Sequence, residues 1–371
     1  MTFEEVKQAL DKGTVIVNAA GAHIPKLAGP SLAATDATSL PNALNLYVTA
    51  AGKRTSAPPH TDKQDVVVVQ TSGQKHWRVF KPTDSQLKPM SDIFARGKGE
   101  DSLPLHALQS EDSSDASELL IETALATGDI LFVPAAFPHT TSTANINDET
   151  SVHLTFNIDT HIWELDYLSA RRLALKRACI PDTALGQMKD EDNRYVGRAN
   201  ELSLEVRKDL FDALPLGLLD EDEAAEELEK KSATELQRIS LEVDKETAEA
   251  VDPAIWEETL ARVRKQGMEL FEVHRDMYLA AIQEGRTRDA EEAMVAHLDD
   301  NAKPKVMTPE RMQRLSLFRV KTYYEQIDAS KSALREWSYL GKPSSSGSGD
   351  SVSNKAVLPE DWAFTLPVKV G

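Results

Sequence analysis

With 371 residues, of which 41% are hydrophobic and 27% charged, the chain is long enough for about two globular domains. Its net charge of −18 argues against direct binding to nucleic acid or to an anionic membrane, and it favours a basic protein or peptide as partner. Its single cysteine, Cys179, excludes an internal disulfide and a cysteine-based zinc site.

The chain begins with a charged amphipathic stretch that lacks the apolar region of a signal peptide, and no apolar run reaches the roughly 18 residues of a membrane span. We therefore expect an intracellular protein, nuclear or cytoplasmic, without a membrane segment. The next 150 or so residues carry the pattern of short strands, in NLYVT (45–49), VVVVQ (66–70), WRVF (77–80), ILFVP (130–134) and SVHLTFNI (151–158). Such strands without helices between them favour a barrel or jelly roll. Residues 84–118, rich in Ser, Asp, Gly and Pro, predict a long surface insertion.

The pattern becomes helical after about Trp163. Asp252-Pro253 and Thr308-Pro309 each predict a helix that begins with proline at its first position. The first of these helices carries an apolar stripe typical of a core or a dimer interface, which includes Trp256, Leu260 and Val263. We expect a catalytic β domain over 1–164, a helical dimerisation or interaction domain over 165–341, and a flexible linker and tail over 342–371.

The tripeptide His-x-Asp is the first candidate metal motif, and it occurs at 60–62, 274–276 and 297–299. About one chance occurrence is expected in such a chain, so the motif alone is weak. In a strand, residues two apart point to the same face and can reach one ion, whereas on a helix they lie roughly 200° apart. His274 and His297 lie in helical patterns. His60 and Asp62 lie at the start of the VVVVQ strand, so they are the credible pair.

A third ligand is offered by the segment GDILFVPAAFPH, which ends at His139. Two histidines and one carboxylate occupy one face of an octahedron and leave open positions, which suits Fe(II), a bidentate 2-oxo acid and O2. The alternative is that His60 and His139 are ordinary loop and core histidines. The flanking patterns favour the metal site.

The segment NLYVTAAGKRTSAPPHTDKQDVVVVQTSGQKHWRVF (45–80) resembles the JmjC core of the ribosomal oxygenases, which hydroxylate residues of ribosomal proteins. GDILFVPAAFPHTTST is similar to the second metal-ligand segment of that family, and SVHLTFNIDTHIW is similar to its closing strand. The resemblance covers about residues 10–165. It implies a double-stranded β-helix (cupin or jelly-roll) barrel of α+β class, Fe(II) and 2-oxoglutarate as cofactors, and a helical region that forms a homodimer.

Residue by residue, the resemblance implies that His60, Asp62 and His139 are the iron ligands. Lys75 matches the lysine that pairs with the distal carboxylate of 2-oxoglutarate, and a buried dicarboxylate needs such a cation. The remaining matches place Asn45 and Asn157 near the cosubstrate and Tyr47 on the substrate side. The alternatives are a solvent-facing Lys75 and ordinary strand hydrogen bonding or packing for the other three residues. Trp77 and Phe80 are expected in the barrel core.

Two departures from the family lie around the substrate mouth: Lys63 replaces an acidic residue, and Ala-Ala-Phe-Pro before His139 replaces Arg-Gly-Phe. They leave the substrate open. The sequence therefore predicts a dioxygenase that hydroxylates a side chain of a ribosomal or other basic protein. A lysine demethylase acting on N-methyl groups is one alternative. A catalytically silent iron-binding scaffold with a helical interaction domain is another.

Overall fold

The computed structural model describes residues 3–62, 64–82, 98–100, 118–146, 148–158, 163–182, 184–185, 188–189, 195–196, 202–215, 217–295, 307–339 and 368–370. Most of the expected insertion at 84–118 lies outside these residues. So do Lys63, the tripeptide at 297–299, and the tail at 342–371 apart from 368–370.

The strands of the first half pair antiparallel in two main sheets. One sheet has the order β13 (Val368–Val370), β1 (Thr14–Val17), β2 (Asn42–Thr49), β10 (Ser151–Ile158), β4 (Asp65–Ser72) and β8 (Ile130–Val133). The other has the order β6 (Lys98–Glu100), β3 (Ala57–Asp62), β9 (His139–Ser142), β5 (Lys75–Phe80) and β7 (Leu119–Leu125). A separate pair joins β11 (Met188–Lys189) to β12 (Tyr195–Val196). The predicted strands are all present.

The interior between the two sheets is apolar on one side and polar on the other. Side chains from β4, β5, β7 and β8 form an apolar cluster, which includes Val68, Trp77, Val79 and Leu131. Alternate residues of β10 are buried, as a strand with one face inward requires, but here Ser151, His153, Thr155 and Asn157 are polar. Because buried polar groups are costly without partners, this face of β10 marks a candidate site.

Three helices precede or interrupt the first strands: α1 (Phe3–Lys12), α2 (Ala20–His23) and α3 (Pro25–Thr38). The expectation of strands without helices between them is wrong in this region, because α2 and α3 lie between β1 and β2. Helix α3 contains Pro30 in its interior, and Ser31 and Thr35 donate hydrogen bonds to the carbonyls four residues earlier. Each of these features lowers helix propensity, so packing rather than local preference stabilises α3.

The second half is helical: α4 (Tyr167–Arg177), α5 (Leu204–Phe211), α6 (Glu223–Val243), α7 (Lys245–Glu249), α8 (Pro253–Val295) and α9 (Pro309–Tyr339). The predicted helix starts are confirmed. The Asp252 side chain accepts from the amide of Ala254 at 3.0 Å, and the Thr308 hydroxyl accepts from the amide of Arg311 at 3.3 Å. The Trp256, Leu260 and Val263 stripe is buried in the helical core. Within the described residues, no helix has the length and apolar character that a membrane crossing requires.

Helices α8 and α9 are fixed to the first residue of β2 through His274. The Nε2 atom of His274 contacts the backbone carbonyl and amide of Asn42, and its Nδ1 lies 2.5 Å from the Tyr323 hydroxyl. The Tyr278 hydroxyl donates to the same Asn42 carbonyl at 2.9 Å. His274 is 3% exposed, so this polar junction is shielded from water. The helical region therefore holds the end of the strand that lines the polar side of the interior.

Candidate metal centre

His60, Asp62 and His139 converge in space. Their nearest candidate ligand atoms all lie within 4.8 Å of one another. The Asp62 Oδ2 atom is 3.5 Å from His139 Nε2 and 3.8 Å from His60 Nε2. His60 and Asp62 share one face of β3, as strand parity predicts, and His60 pairs with His139 across β3 and β9. His60 and Asp62 lie on β3. The expectation that they lie at the start of the strand that contains Val66 is wrong, because that strand, β4, begins at Asp65.

Both histidines are oriented by backbone carbonyls. The Nδ1 atom of His60 lies 2.7 Å from the Pro58 carbonyl oxygen, and that of His139 lies 3.0 Å from the Phe137 carbonyl oxygen. An N–H donated at Nδ1 leaves the lone pair on Nε2, which is the atom that faces Asp62 in each ring. These two hydrogen bonds to backbone carbonyls fix the tautomer that a metal ligand requires.

The turn before His139 is attached to the strand that carries the other two ligands. The Ala136 amide donates to the Asp62 carbonyl at 2.8 Å, and the Ala135 amide donates to the Asp65 side chain at 2.8 Å. Ala136 has a φ of 66°, a left-handed conformation that favours glycine and is costly for alanine. The hydrogen bonds to β3 and β4 hold this conformation, so the third ligand is placed by the chain beside the first two.

The three residues open onto a cavity of about 610 Å³ on the polar side of the interior. Lys75 lines this cavity and is 2% exposed, so it is not the solvent-facing lysine that the sequence left open. Its Nζ donates to the Thr49 hydroxyl at 3.1 Å. Burial lowers the pKa of Lys75 to about 7. A buried cation with a neutral hydroxyl beside it is a site for an anion.

Asn45, Asn157 and Tyr47, the other residues predicted near the cosubstrate or substrate, also line this cavity. Asn45 Oδ1 accepts from the Ala19 amide at 2.9 Å, and Asn157 Nδ2 donates to the Ala43 carbonyl at 2.9 Å. Each therefore makes the ordinary structural hydrogen bond that the sequence offered as an alternative role. Burial, reinforced by the charge of Asp62, raises the pKa of Tyr47 to about 12.

Sequence reasoning missed His153, which lines the cavity and is 2% exposed. Its ring stacks on Tyr47 with centroids 4.7 Å apart and an interplanar angle of 10°. The alternation of SVHLTFNI places His153 on the same face of the strand as Asn157. Because Asn157 was assigned to the cavity, this alternation could have predicted that His153 lines it too. Trp77, assigned to the core, is indeed buried, and it also contacts His139 with ring centroids 5.9 Å apart.

Comparison with known proteins gives the family of this region. The JmjC domain family model matches residues 33–164. These residues are therefore similar to a JmjC domain. They contain the two histidines, the aspartate and Lys75. The antiparallel sheets and the helical region that follows agree with a cupin-type JmjC domain of α+β class. JmjC oxygenases use Fe(II) and 2-oxoglutarate, and a His-Asp-His set is present here.

The curated relatives of this region include a ribosomal oxygenase and a bifunctional demethylase and hydroxylase. Ribosomal oxygenase 1 of Gallus gallus is 28% identical over 178 residues, which are 45% of this chain and 25% of that protein. The bifunctional lysine-specific demethylase and histidyl-hydroxylase NO66 of Dictyostelium discoideum is 29% identical over 111 residues, which are 30% of this chain and 18% of that protein. The match thus spans a quarter or less of each relative's length.

Among solved structures, the hydroquinone 1,2-dioxygenase from Sphingomonas sp. with 4-hydroxybenzoate bound aligns over 32% of this chain and 59% of its own. It is 11% identical with a TM-score of 0.22, which is too low to support any argument about this chain.

Proposed function

We propose that this protein is an Fe(II)- and 2-oxoglutarate-dependent dioxygenase that hydroxylates a protein side chain. The observation that carries the proposal is the convergence of His60, Asp62 and His139 on a cavity that also contains the buried Lys75. The donor set fits Fe(II), because two imidazoles and one carboxylate leave coordination positions for other ligands. Lys75 fits a dicarboxylate, because a buried ammonium requires a counter-charge.

The proposed barrel is a double-stranded β-helix built from the two antiparallel sheets. When bound, iron would supply the reaction of O2 with 2-oxoglutarate, in which 2-oxoglutarate is decarboxylated to succinate and CO2, one oxygen atom of O2 enters succinate and the other converts a substrate C–H bond to C–OH. In this proposal the residues of the chain bind and orient. His60, Asp62 and His139 hold the metal, Lys75 holds the far carboxylate of the cosubstrate, and the apolar cluster around Val68 and Trp77 excludes water from one side.

The first experiment measures turnover. Purified protein with Fe(II), ascorbate and 2-oxoglutarate is expected to form succinate, slowly without substrate and faster when a protein extract is added. His60→Ala is expected to form none. The proposal fails if wild-type protein forms no succinate under any of these conditions, or if His60→Ala forms as much as wild type.

Cosubstrate binding provides a second test through Lys75. Because burial lowers the pKa of Lys75 to about 7, the free site loses its charge as the pH rises through 7. A dicarboxylate requires the charged form, so the Kd for 2-oxoglutarate is expected to rise about tenfold for each pH unit above 7. Lys75→Arg, which stays charged, should give a nearly flat profile over pH 7 to 9 if it folds. Calorimetric titration measures both, and a flat wild-type profile would show that Lys75 does not lose its charge between pH 7 and 9.

Demethylation of N-methyl lysine is a second candidate, since the name of the Dictyostelium discoideum relative includes both activities. Mass spectrometry separates the two reactions. Hydroxylation adds about 16 Da to an unmodified peptide, and demethylation removes about 14 Da from a methylated one. The substrate we propose is a basic protein, such as a ribosomal protein, which the net charge of −18 would attract.

We further propose that the helical region at 165–341 forms a homodimer. Light scattering of the full chain measures this directly. A monomer at micromolar concentration would contradict it.

A further inference from the structure

His153 is a buried polar side chain that the proposed function does not yet use. It is 2% exposed and lines the cavity. In the part of the chain that the structure describes, its Nδ1 atom is buried without a hydrogen-bond partner. Buried polar atoms of this kind are uncommon in folded proteins, and a ligand that fills the cavity is one way to satisfy them.

The register of β2 and β10 gives the depth of His153 in the cavity. Tyr47 is paired with His153, and the next inward-facing pair is Thr49 with Ser151. Thr49 is the residue whose hydroxyl accepts from Lys75 Nζ. His153 therefore lies one inward pair from the level of the Lys75 ammonium, on the side toward Ala43 and Asn157.

The opposite sheet places the metal ligands within reach of the same space. The ring centroid of Trp77 lies 5.8 Å from that of His153 and 5.9 Å from that of His139. Trp77 thus lies close both to a ligand of the candidate metal centre and to His153. The cavity that contains the metal ligands and Lys75 is lined by the His153–Tyr47 stack as well.

Electrostatics favours a neutral imidazole at this position. Burial, and then the nearby charge of Lys75, lower the pKa of His153 well below its usual value. A neutral ring can still donate one hydrogen bond to a carboxylate, and it adds no second positive charge beside Lys75.

We infer that His153 is a cosubstrate-binding residue, which donates a hydrogen bond to the carboxylate that Lys75 neutralises. This inference rests on the proposed function and deepens it. It makes recognition of the far carboxylate depend on one cation and one neutral donor. Tyr47 then acts as a positioning residue, because its flat stack against the ring sets the direction in which His153 donates. The competing role for His153 is packing against Tyr47 and Trp77 alone.

The test is calorimetric binding of two ligands to the full chain loaded with Mn(II), which replaces Fe(II) without oxidation. 2-Oxoglutarate carries the far carboxylate, and pyruvate has the same 2-oxo acid group without it. His153→Phe keeps the ring stack and removes the donor, whereas His153→Gln keeps a donor. The matched control is His76→Phe, at a half-buried histidine of β5 whose Nε2 lies 3.5 Å from Glu122 Oε1.

We expect His153→Phe to bind 2-oxoglutarate about tenfold more weakly than wild type, as the loss of one hydrogen bond to a carboxylate predicts. Pyruvate and Mn(II) affinities should stay within about twofold, and His153→Gln should recover part of the loss. His76→Phe should match wild type.

The inference is overturned if His153→Phe binds 2-oxoglutarate as wild type does, or if it loses affinity for both 2-oxo acids equally, which is the packing result. If His153→Phe does not fold, His153→Gln alone decides, since it should bind 2-oxoglutarate more weakly than wild type with pyruvate unchanged. If wild type itself does not bind 2-oxoglutarate, the proposed function fails together with the inference.

Discussion

The tripeptide His-x-Asp serves two different purposes in the two halves of this molecule. On strand β3, His60 and Asp62 turn to one face and meet His139 at the candidate metal centre. On helix α8, His274 is buried against the start of β2, whereas Asp276 is exposed to solvent. The same two residue types therefore form a candidate chelate in one region and a structural anchor in the other.

Backbone geometry accounts for this difference. Side chains two residues apart repeat on one face of a strand, but on a helix they diverge by roughly 200°. A helix would need a spacing of three or four residues to bring both side chains to one ion. The composition of a motif is therefore informative about metal binding only together with the secondary structure that carries it.

The largest effect on Fe(II) affinity is expected from a change in the tripeptide on strand β3, at 60–62. Asp62→Ala removes the only carboxylate among the three described ligands, and it should lower Fe(II) affinity about 100-fold or more. Anaerobic Fe(II) titration, or Co(II) absorbance as a substitute, measures the loss. Asp62→Asn, which keeps size and one oxygen, should give a smaller decrease. Unchanged affinity in Asp62→Ala would mean that the converging triad is not the iron site.

Sequence patterns predicted this triad because each step depended on local geometry. Parity selected His60 and Asp62, and the segment GDILFVPAAFPH offered His139, which the structure places at the start of β9. The helical region was equally visible, since Asp252-Pro253 and Thr308-Pro309 mark helix starts by chemistry that acts within a few residues.

The features that sequence reasoning missed depend on long-range packing. Helix α3 has an interior proline and polar side chains that bond back to its own carbonyls, so its local signal is weak. It packs against α8, far away in sequence. His153 was missed for a related reason. A histidine in an alternating strand looks ordinary until the opposite sheet brings Trp77 and Lys75 to the same cavity.

A substitution in the tripeptide on helix α8, at 274–276, should lower stability and leave metal binding unchanged. His274→Ala removes a buried ring and leaves the Asn42 backbone and the Tyr323 hydroxyl without this partner. We expect a loss of about 4 kcal/mol in the free energy of unfolding, from the cavity and the unsatisfied groups together. Urea denaturation followed by circular dichroism measures it. Fe(II) affinity at temperatures where the variant is folded should equal that of wild type, and a specific loss of iron binding would contradict the anchor role.

A smaller effect is expected from the ionisation of His274. Burial lowers its pKa to about 4 from 6.5, so the folded protein keeps the ring neutral while the unfolded chain binds a proton below 6.5. The free energy of unfolding should therefore fall as the pH drops from 6.5 to 4, by at most about 3 kcal/mol for this group. The tyrosine hydroxyls that contact the ring do not ionise in this range.

The measurement compares denaturation of wild type and His274→Gln at several pH values from 7 to 4. Other groups that titrate there, including His23 with a pKa of about 4, act on both proteins and cancel in the difference. The free energy of unfolding should depend less steeply on pH in His274→Gln than in wild type. The difference in slope should correspond to about one proton bound on unfolding. Parallel curves would show that His274 takes up its proton in the folded protein.

The smallest effect is expected for the partner of His274 in the tripeptide. Asp276 is exposed on the opposite side of α8, and exposed substitutions of this kind usually change stability by no more than about 0.5 kcal/mol. Asp276→Ala should therefore match wild type in urea denaturation and in Fe(II) titration, although the same change at Asp62 should lower Fe(II) affinity about 100-fold or more. A loss of iron affinity in Asp276→Ala would mean that the helical tripeptide acts as a unit. The explanation by strand and helix geometry would then be wrong, because no rotation of one helix brings residues two apart to a single ion.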